Sequence, residues 1–200
     1  MPDINLWKEH LAKSKQVSDS VVFLTVGQII ERKGLRQLIE ATKLLFDSAH
    51  RDNWSVLIVG DGPLKGELEK RTQIYGLEGR VKFLGWIKHG ELGRVLSSAH
   101  VFVFPTLEDV WGIAPLEAMA MGIPVLCSKY AGASELVEDG VGGWIFDPHN
   151  PKELAELMKR FLDQPELIST IGENTRRKME GFSPEAAVEF LVKVTIRVAT

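Results

Sequence analysis

Residues 101–127, VFVFPTLEDVWGIAPLEAMAMGIPVLC, decide the fold. Val101–Phe104 is apolar without alternation, as expected of a strand buried on both faces. Pro105 stops it. An acidic loop follows, then a helix through Glu117 and Ala120. A second apolar run, Ile123–Cys127, carries Pro124 at its start, where a strand tolerates one. Strand, loop, helix and strand in this order make a parallel crossover unit.

The same alternation extends outward on both sides. Val21–Val26 is a strand ending at Gly27, and Gly34 opens a helix striped by Leu35, Leu38, Ile39, Thr42, Leu45 and Phe46. Val56–Val59 is the next strand. Gly60-Asp61-Gly62-Pro63 then leads into a helix to about Tyr75, with Pro63 expected at its first position. Val81–Leu84 ends at Gly85, before a helix near Glu91–Ser98. Beyond the central unit, Gly143–Phe146 is a short sixth strand. Three closing helices are expected. Leu154, Leu157, Met158, Phe161 and Leu162 line the first, and the second runs from Pro165 to about Glu180. The third starts at Ser183-Pro184-Glu185 with Ser183 as its cap. Residues 1–20 are polar and weakly periodic, as in a linker.

This pattern predicts an α/β fold over residues 21–200: a doubly wound, Rossmann-like parallel sheet of about six strands with helices on both faces, closed by helices within 150–200. Such sheets bind ligands beyond the carboxyl ends of their strands. The loops Gly27–Gly34, Gly60–Pro63, Gly85–His89, Pro105–Ala114 and Ser128–Ser134 are therefore the places to look.

Composition narrows the chemistry. The chain has 200 residues, the size of one domain. Lys plus Arg is 24, Asp plus Glu is 27, and the net charge is −3, which argues against a nucleic-acid partner. A single cysteine, Cys127, and scattered histidines exclude a Cys/His zinc site and an internal disulfide. No apolar run approaches the ~18 residues of a membrane span, and MPDINLWKEHLAK has no signal core. The expectation is a soluble, cytoplasmic protein.

Three loops carry candidate chemistry. In residues 105–125, Pro115 is expected at the first helical position, with Ala114 as the cap and Glu117 in the first turn. The amides of Gly112, Ile113 and Ala114 would then face outward from a positive helix end and could cradle phosphate; Glu117 could equally serve only the helix dipole. In Gly27–Gly34, Arg32 and Lys33 could neutralise a diphosphate or form a solvated basic turn. Gly60–Gly66 partly matches a dinucleotide fingerprint, but its third glycine comes one residue late and it follows the second strand. It reads as a tight turn. His89, His100 and His149 read as surface or turn residues, Trp54 and Trp144 as core, and Arg176-Arg177-Lys178 as a solvated helix face. Trp111 flanks the acidic loop.

Read in order, VGQIIERKG (26–34), LIVGDGPLKGELE (57–69), VKFLGW (81–86) and FVFPTLEDVWGIAPLEAMAMGIPVLCSKYAGASELVEDGVGGWIFDP (102–148) resemble the retaining glycosyltransferases of the GT-B fold, family 4 (glycosyl transferases group 1). The resemblance runs from about Val21 to Thr200 and implies the carboxyl-terminal, nucleotide-sugar-binding half of such an enzyme. It implies that Glu117 binds the ribose hydroxyls. It implies an acid near the donor sugar at Asp109, where the family usually has Glu; Glu108 stands beside it, and either could serve. Lys33 matches the diphosphate-binding lysine. The partner arginine is replaced by Gln28, next to Gly27, and Arg32 could compensate. The amides of Gly112, Ile113 and Ala114 match the pyrophosphate-binding helix start, and Gly85 and Trp86 would flank the base. Ala131-Gly132 stands where the family has two glycines.

The implied donor is a UDP- or GDP-linked hexose-type sugar, transferred with retention and without cofactor or metal; no Asp-x-Asp occurs in the sequence. Asp109, Glu108 and Lys33 are the catalytic candidates. The acceptor side would belong to a missing amino-terminal domain or a partner subunit, without which the chain is expected to be inactive. Residues 1–20 would be the crossover from that domain. The helix from Pro184 would pack toward it, leaving an apolar stripe that favours self-association. A peripheral membrane contact of the full-length protein is compatible with the resemblance. The alternative is a nucleotide-binding module or regulatory subunit without transfer, favoured by Gln28. A nucleotide-sugar epimerase would need acids and a histidine that cannot be assigned, and a dehydrogenase fits least.

Overall fold

The computed structural model describes residues 20–50 and 52–180. The expected third closing helix lies outside the described residues, as does all but residue 20 of the 1–20 segment. Six strands form one sheet: β1 Val21–Val26, β2 Trp54–Val59, β3 Val81–Gly85, β4 Val101–Phe104, β5 Val125–Ser128 and β6 Gly143–Phe146. Their order is β3-β2-β1-β4-β5-β6 and every pair is parallel. The helices are α1 Leu35–Ser48, α2 Lys65–Ile74, α3 His89–Leu96, α4 Ile113–Ala120, α5 Pro151–Asp163 and α6 Glu166–Glu180. Short 3-10 turns occupy Glu31–Lys33 and Gly132–Leu136. This is the doubly wound architecture expected from the alternation. The strand order reverses direction between β1 and β4.

Non-alternating strands are explained by two cores, one on each sheet face. Val21, Phe23, Val56, Ile58 and Val101 pack with Leu38, Ile39 and Leu45 of α1 and Leu154, Met158 and Phe161 of α5. Their neighbours Val22, Leu24, Leu57, Phe102 and Phe104 pack with Val95 and Leu96 of α3 and Ala118 and Met119 of α4. The inner strands β1, β2, β4 and β5 thus bury nearly all of both sets of side chains, so a polar set would have little solvent to face, while the edge strands β3 and β6 are half-buried at their middle residues. Trp144 meets Phe161 edge-on with ring centroids 5.4 Å apart, so it belongs to the first core as expected. His100 plays a structural part, since its Nδ1 accepts the amide of Val22 at 3.0 Å. On the surface, Arg36 of α1 bonds Glu67 of α2 through two nitrogens, at 2.7 and 2.6 Å, and also contacts Glu31. The guanidinium holds the Glu67 carboxyl below its ordinary range.

The starts of α2 and α3 differ from expectation. Helix α2 begins at Lys65, so Pro63 lies ahead of it, in a turn where Lys65 N–H bonds Gly62 O at 3.1 Å and Leu64 N–H bonds Ile29 O at 3.2 Å. The bond to Ile29 fixes where the chain turns into the helix, and local propensity carries no sign of it. Helix α3 begins at His89, two residues before the expected Glu91.

Gly34 joins the Glu31–Lys33 turn to α1 with φ +65°. A Cβ there would stand 1.8 Å from the carbonyl oxygen of Pro105, at the end of β4. No side-chain rotation relieves a clash with backbone, so the β1 and β4 loops approach this closely only with glycine. Gly34→Ala is expected to lower stability by about 2–4 kcal/mol. The check is the urea midpoint of the full chain; an unchanged midpoint would contradict this packing.

Candidate functional site

The carboxyl ends of the strands are tied to one another by main-chain bonds. Gly27 N–H bonds Val59 O at 3.0 Å, Ile29 N–H bonds Asp61 O at 2.9 Å, and Gly60 N–H bonds Gly85 O at 2.8 Å. The loops after β1, β2 and β3 therefore form one rim. A cleft of about 420 Å3 opens above it, lined by Gly27, Gln28, Gly60, Asp61, Trp86 and Leu92 among others. Trp86 is 70% exposed at its edge. A narrower recess shares Gly27 and Gln28 with the cleft and continues to Lys33, Phe104 and Pro105.

A second set of bonds joins the β1 and β4 loops across the switch point. The carbonyl of Arg32 accepts Leu107 N–H at 2.8 Å and Glu108 N–H at 3.4 Å. The fully buried Thr106 hydroxyl lies 2.8 Å from the same oxygen and 2.9 Å from the Glu108 carbonyl. Nothing in the sequence marked Thr106; a threonine after a strand-ending proline carries no signal of such a partner 74 residues away. Next along, Asp109 N–H bonds Tyr130 O at 3.2 Å, and Gly132 and Ala133 N–H bond the carbonyls of Asp109 and Trp111 at 3.1 and 2.6 Å. The acidic loop is therefore clamped between the loops after β1 and β5.

These bonds bring three of the candidate residues together. Lys33 Nζ pairs with Asp109 Oδ2, and Arg32 NH1 stands 3.8 Å from the same oxygen. Lys33 also lies over the Phe104 ring, 5.2 Å from its centroid, so its charge rests on an apolar floor. The Lys33 and Asp109 side chains are shielded, while Arg32 is about half exposed. Of the neighbouring acids, Asp109 is the one that faces the cations. Glu108 is exposed and contributes only its main chain to these contacts.

Helix α4 starts earlier than its proline suggests. Ile113 is its first residue and Gly112 its cap, with φ +88°. Ala114 is therefore not the cap, Pro115 is the third helical residue, and Glu117 lies beyond the first turn. The first four amides of a helix lack intrahelical partners, so proline at the third position forfeits no bond. Gly112 allows the early start because a side chain there would meet the Phe104 ring at 2.7 Å. The amides of Gly112, Ile113 and Ala114 make no bond to another described residue, and they cap a helix whose positive end is on the site side. Glu117 is half-buried on α4 and likewise has no ion pair among the described residues. Gly85 closes β3 below Trp86. The arrangement offers an anion two cations and a row of amides, beside a cleft walled by an indole. Among the described residues no group of three or more His, Cys, Asp or Glu is placed to hold a metal ion. No helix among them is long and apolar enough to cross a membrane.

Comparison with known proteins identifies the class. Residues 8–178 match the family described as glycosyl transferases group 1. The chain belongs to that family. It is 31% identical over 172 residues to alpha-D-kanosaminyltransferase of Streptomyces kanamyceticus, covering 86% of this chain and 44% of that protein. The structure superposes on HepE of Anabaena in complex with UDP with a TM-score of 0.79 at 25% identity, covering 98% of this chain and 55% of that one. It also shares its fold with the C-terminal domain of a glycosyl transferase group 1 protein (LpcC) of Francisella tularensis, with a TM-score of 0.76 at 21% identity over 86% and 90% of the two chains. The chain thus corresponds to the carboxyl-terminal portion of these GT-B proteins and spans less than half the length of the curated relatives.

Cys127 lies fully buried in β5, behind the acid loop. Burial, and secondarily the Asp109 charge, push its thiol up to about 12. A thiol at pH 8 in the folded chain is then protonated and inaccessible. Thiol labelling at pH 8 should proceed only as fast as unfolding; stoichiometric labelling of the folded chain within minutes would contradict the burial. The sign for stability follows from the raised value. The neutral thiol's contribution is complete below the unfolded value near 9 and is lost as pH rises toward about 12.

Proposed function

We propose that this chain binds the nucleotide-diphosphate-sugar donor of a retaining glycosyltransferase that moves a hexose-type sugar to an acceptor. The observation that carries the proposal is that Lys33, with Arg32 beside it, and the start of α4 at Gly112 both lie against the Phe104 ring, which lines the recess that shares Gly27 and Gln28 with the cleft under Trp86. In this reading the diphosphate takes Lys33, Arg32 and the amides, and the base enters the cleft between Gly27, Gly85 and Trp86. The unpartnered carboxylate of Glu117 accepts the ribose hydroxyls. Asp109, rather than Glu108, takes hydroxyls of the donor sugar, because its carboxylate faces inward.

The reaction then needs little covalent help from the chain. The bond from the anomeric carbon to the diphosphate oxygen breaks as an acceptor hydroxyl oxygen bonds to that carbon and gives up its proton, and the charge that gathers on the departing oxygen meets cations and amides already in place. Retention, a hexose-type sugar and independence of metal rest on the family resemblance rather than on any distance in the site. The UDP complex of HepE supports a uridine donor. An acceptor-binding domain beyond these residues, or a partner subunit, would supply the rest of the enzyme; the partial coverage of the relatives supports it. A second reading is a nucleotide-binding module without transfer. It is favoured by Gln28, an exposed neutral residue on the wall shared by cleft and recess. Gln28→Arg with no gain in diphosphate affinity would remove its support.

The test is a thermal-shift panel of the full chain with UDP, GDP, ADP, TDP and NADH. A ligand at about 100 times its Kd stabilises by about 2.7 kcal/mol, a rise in Tm of about 5–10 °C at this size. One diphosphate should produce it, Lys33→Ala should abolish it and Glu117→Ala should weaken it. A shift with NADH alone, or a diphosphate shift indifferent to Lys33→Ala, would overturn the proposal.

A further inference from the structure

The Asp109 carboxylate is held as a bound anion would be. Its Oδ2 pairs with Lys33 and lies 3.8 Å from Arg32, while its Oδ1 accepts the Trp111 amide at 3.3 Å. The main chain on either side is fixed by Tyr130 and Gly132, so the carboxylate can leave this seat only by rotating its own side chain. The seat is also shielded, with 16% of the Lys33 side chain and 15% of the Asp109 side chain exposed. Glu108, next in sequence, is exposed and takes no part. Any phosphate that reaches Lys33 therefore meets a site already occupied by a negative charge.

We propose that Asp109 discriminates a diphosphate carrying a sugar from one without it. The proposal rests on the donor-site reading above. A free diphosphate must displace the carboxylate from Lys33, and it then leaves that carboxylate beside phosphate oxygens with no positive partner. Like charges at such separations disfavour one another strongly in a shielded site. A diphosphate that carries a sugar offers the displaced carboxylate hydroxyl groups, which donate strong, charge-assisted hydrogen bonds to it. The same carboxylate thus opposes the bare leaving group and favours the sugar-bearing molecule. After transfer, Asp109 returns to Lys33 and helps expel the diphosphate.

The test is calorimetric titration of the full chain with inorganic pyrophosphate, UDP and UDP-glucose, comparing wild type with Asp109→Asn. Asn keeps the shape and removes the charge. Asp109→Ser serves as a second variant should the first fail to fold. Pyrophosphate and UDP should bind the variants about tenfold more tightly than wild type, while the preference for UDP-glucose over UDP falls by a similar factor. Variants that bind pyrophosphate and UDP no more tightly would overturn the inference, and so would an equal gain for UDP and UDP-glucose. If wild-type binding is lost in Lys33→Ala yet the Asp109 variants gain nothing, only the discrimination fails. If no diphosphate binds wild type or any variant, the donor-site reading fails with it.

Discussion

The site depends on one main-chain oxygen. The carbonyl of Arg32 takes bonds from the Leu107 amide, the Glu108 amide and the Thr106 hydroxyl, and so ties the loop after β1 to the loop after β4. These two strands are neighbours at the point where the sheet changes direction. Crossovers leave them on opposite sides, so their loops diverge and a crevice opens. Without the tie, Lys33 and Asp109 would sit on separate mobile loops. With it, both are held by backbone. Gly34 completes the approach by removing the Cβ that would strike Pro105.

Most of the architecture was legible because it depends on local pattern. Short apolar runs without alternation marked the strands, and glycines at the end of β3 and in the loops that follow β1, β2, β4 and β5 marked the ligand edge. The starts of α2 and α4 were less legible, for a shared reason. Proline announces a preference for the first helical position, but the structure places Pro63 ahead of its helix and Pro115 at the third residue of its own. The Ile29 carbonyl, from a distant segment, fixes where the chain turns into α2, and it has no footprint in the neighbouring sequence. At α4 the start is set by Gly112, with φ +88° and no room for a Cβ beside Phe104, and not by the proline.

The candidate site divides along the same line. Residue types at loop positions pointed to Lys33, Arg32 and Gly112, and the family resemblance added Trp86. Sequence could not choose between Glu108 and Asp109, since both are acids in one loop. The choice follows from backbone pairing with Tyr130 and Gly132, which turns Asp109 inward and Glu108 outward. Thr106 was invisible for an analogous reason: its partner is a carbonyl, and every residue has one. The overall charge of −3 also concealed a local basic seat, because Asp109 neutralises it from within.

If the donor reading holds, the amides starting α4, the Lys33 seat and the cleft under Trp86 form one ligand site. The most direct measurement is a heteronuclear NMR titration of the full chain with UDP. The amides of Gly112, Ile113 and Ala114 and the indole N–H of Trp86 are expected to shift together along one saturation curve. Shifts confined to residues remote from the carboxyl edge of the sheet, or separate curves for α4 and Trp86, would contradict a single site.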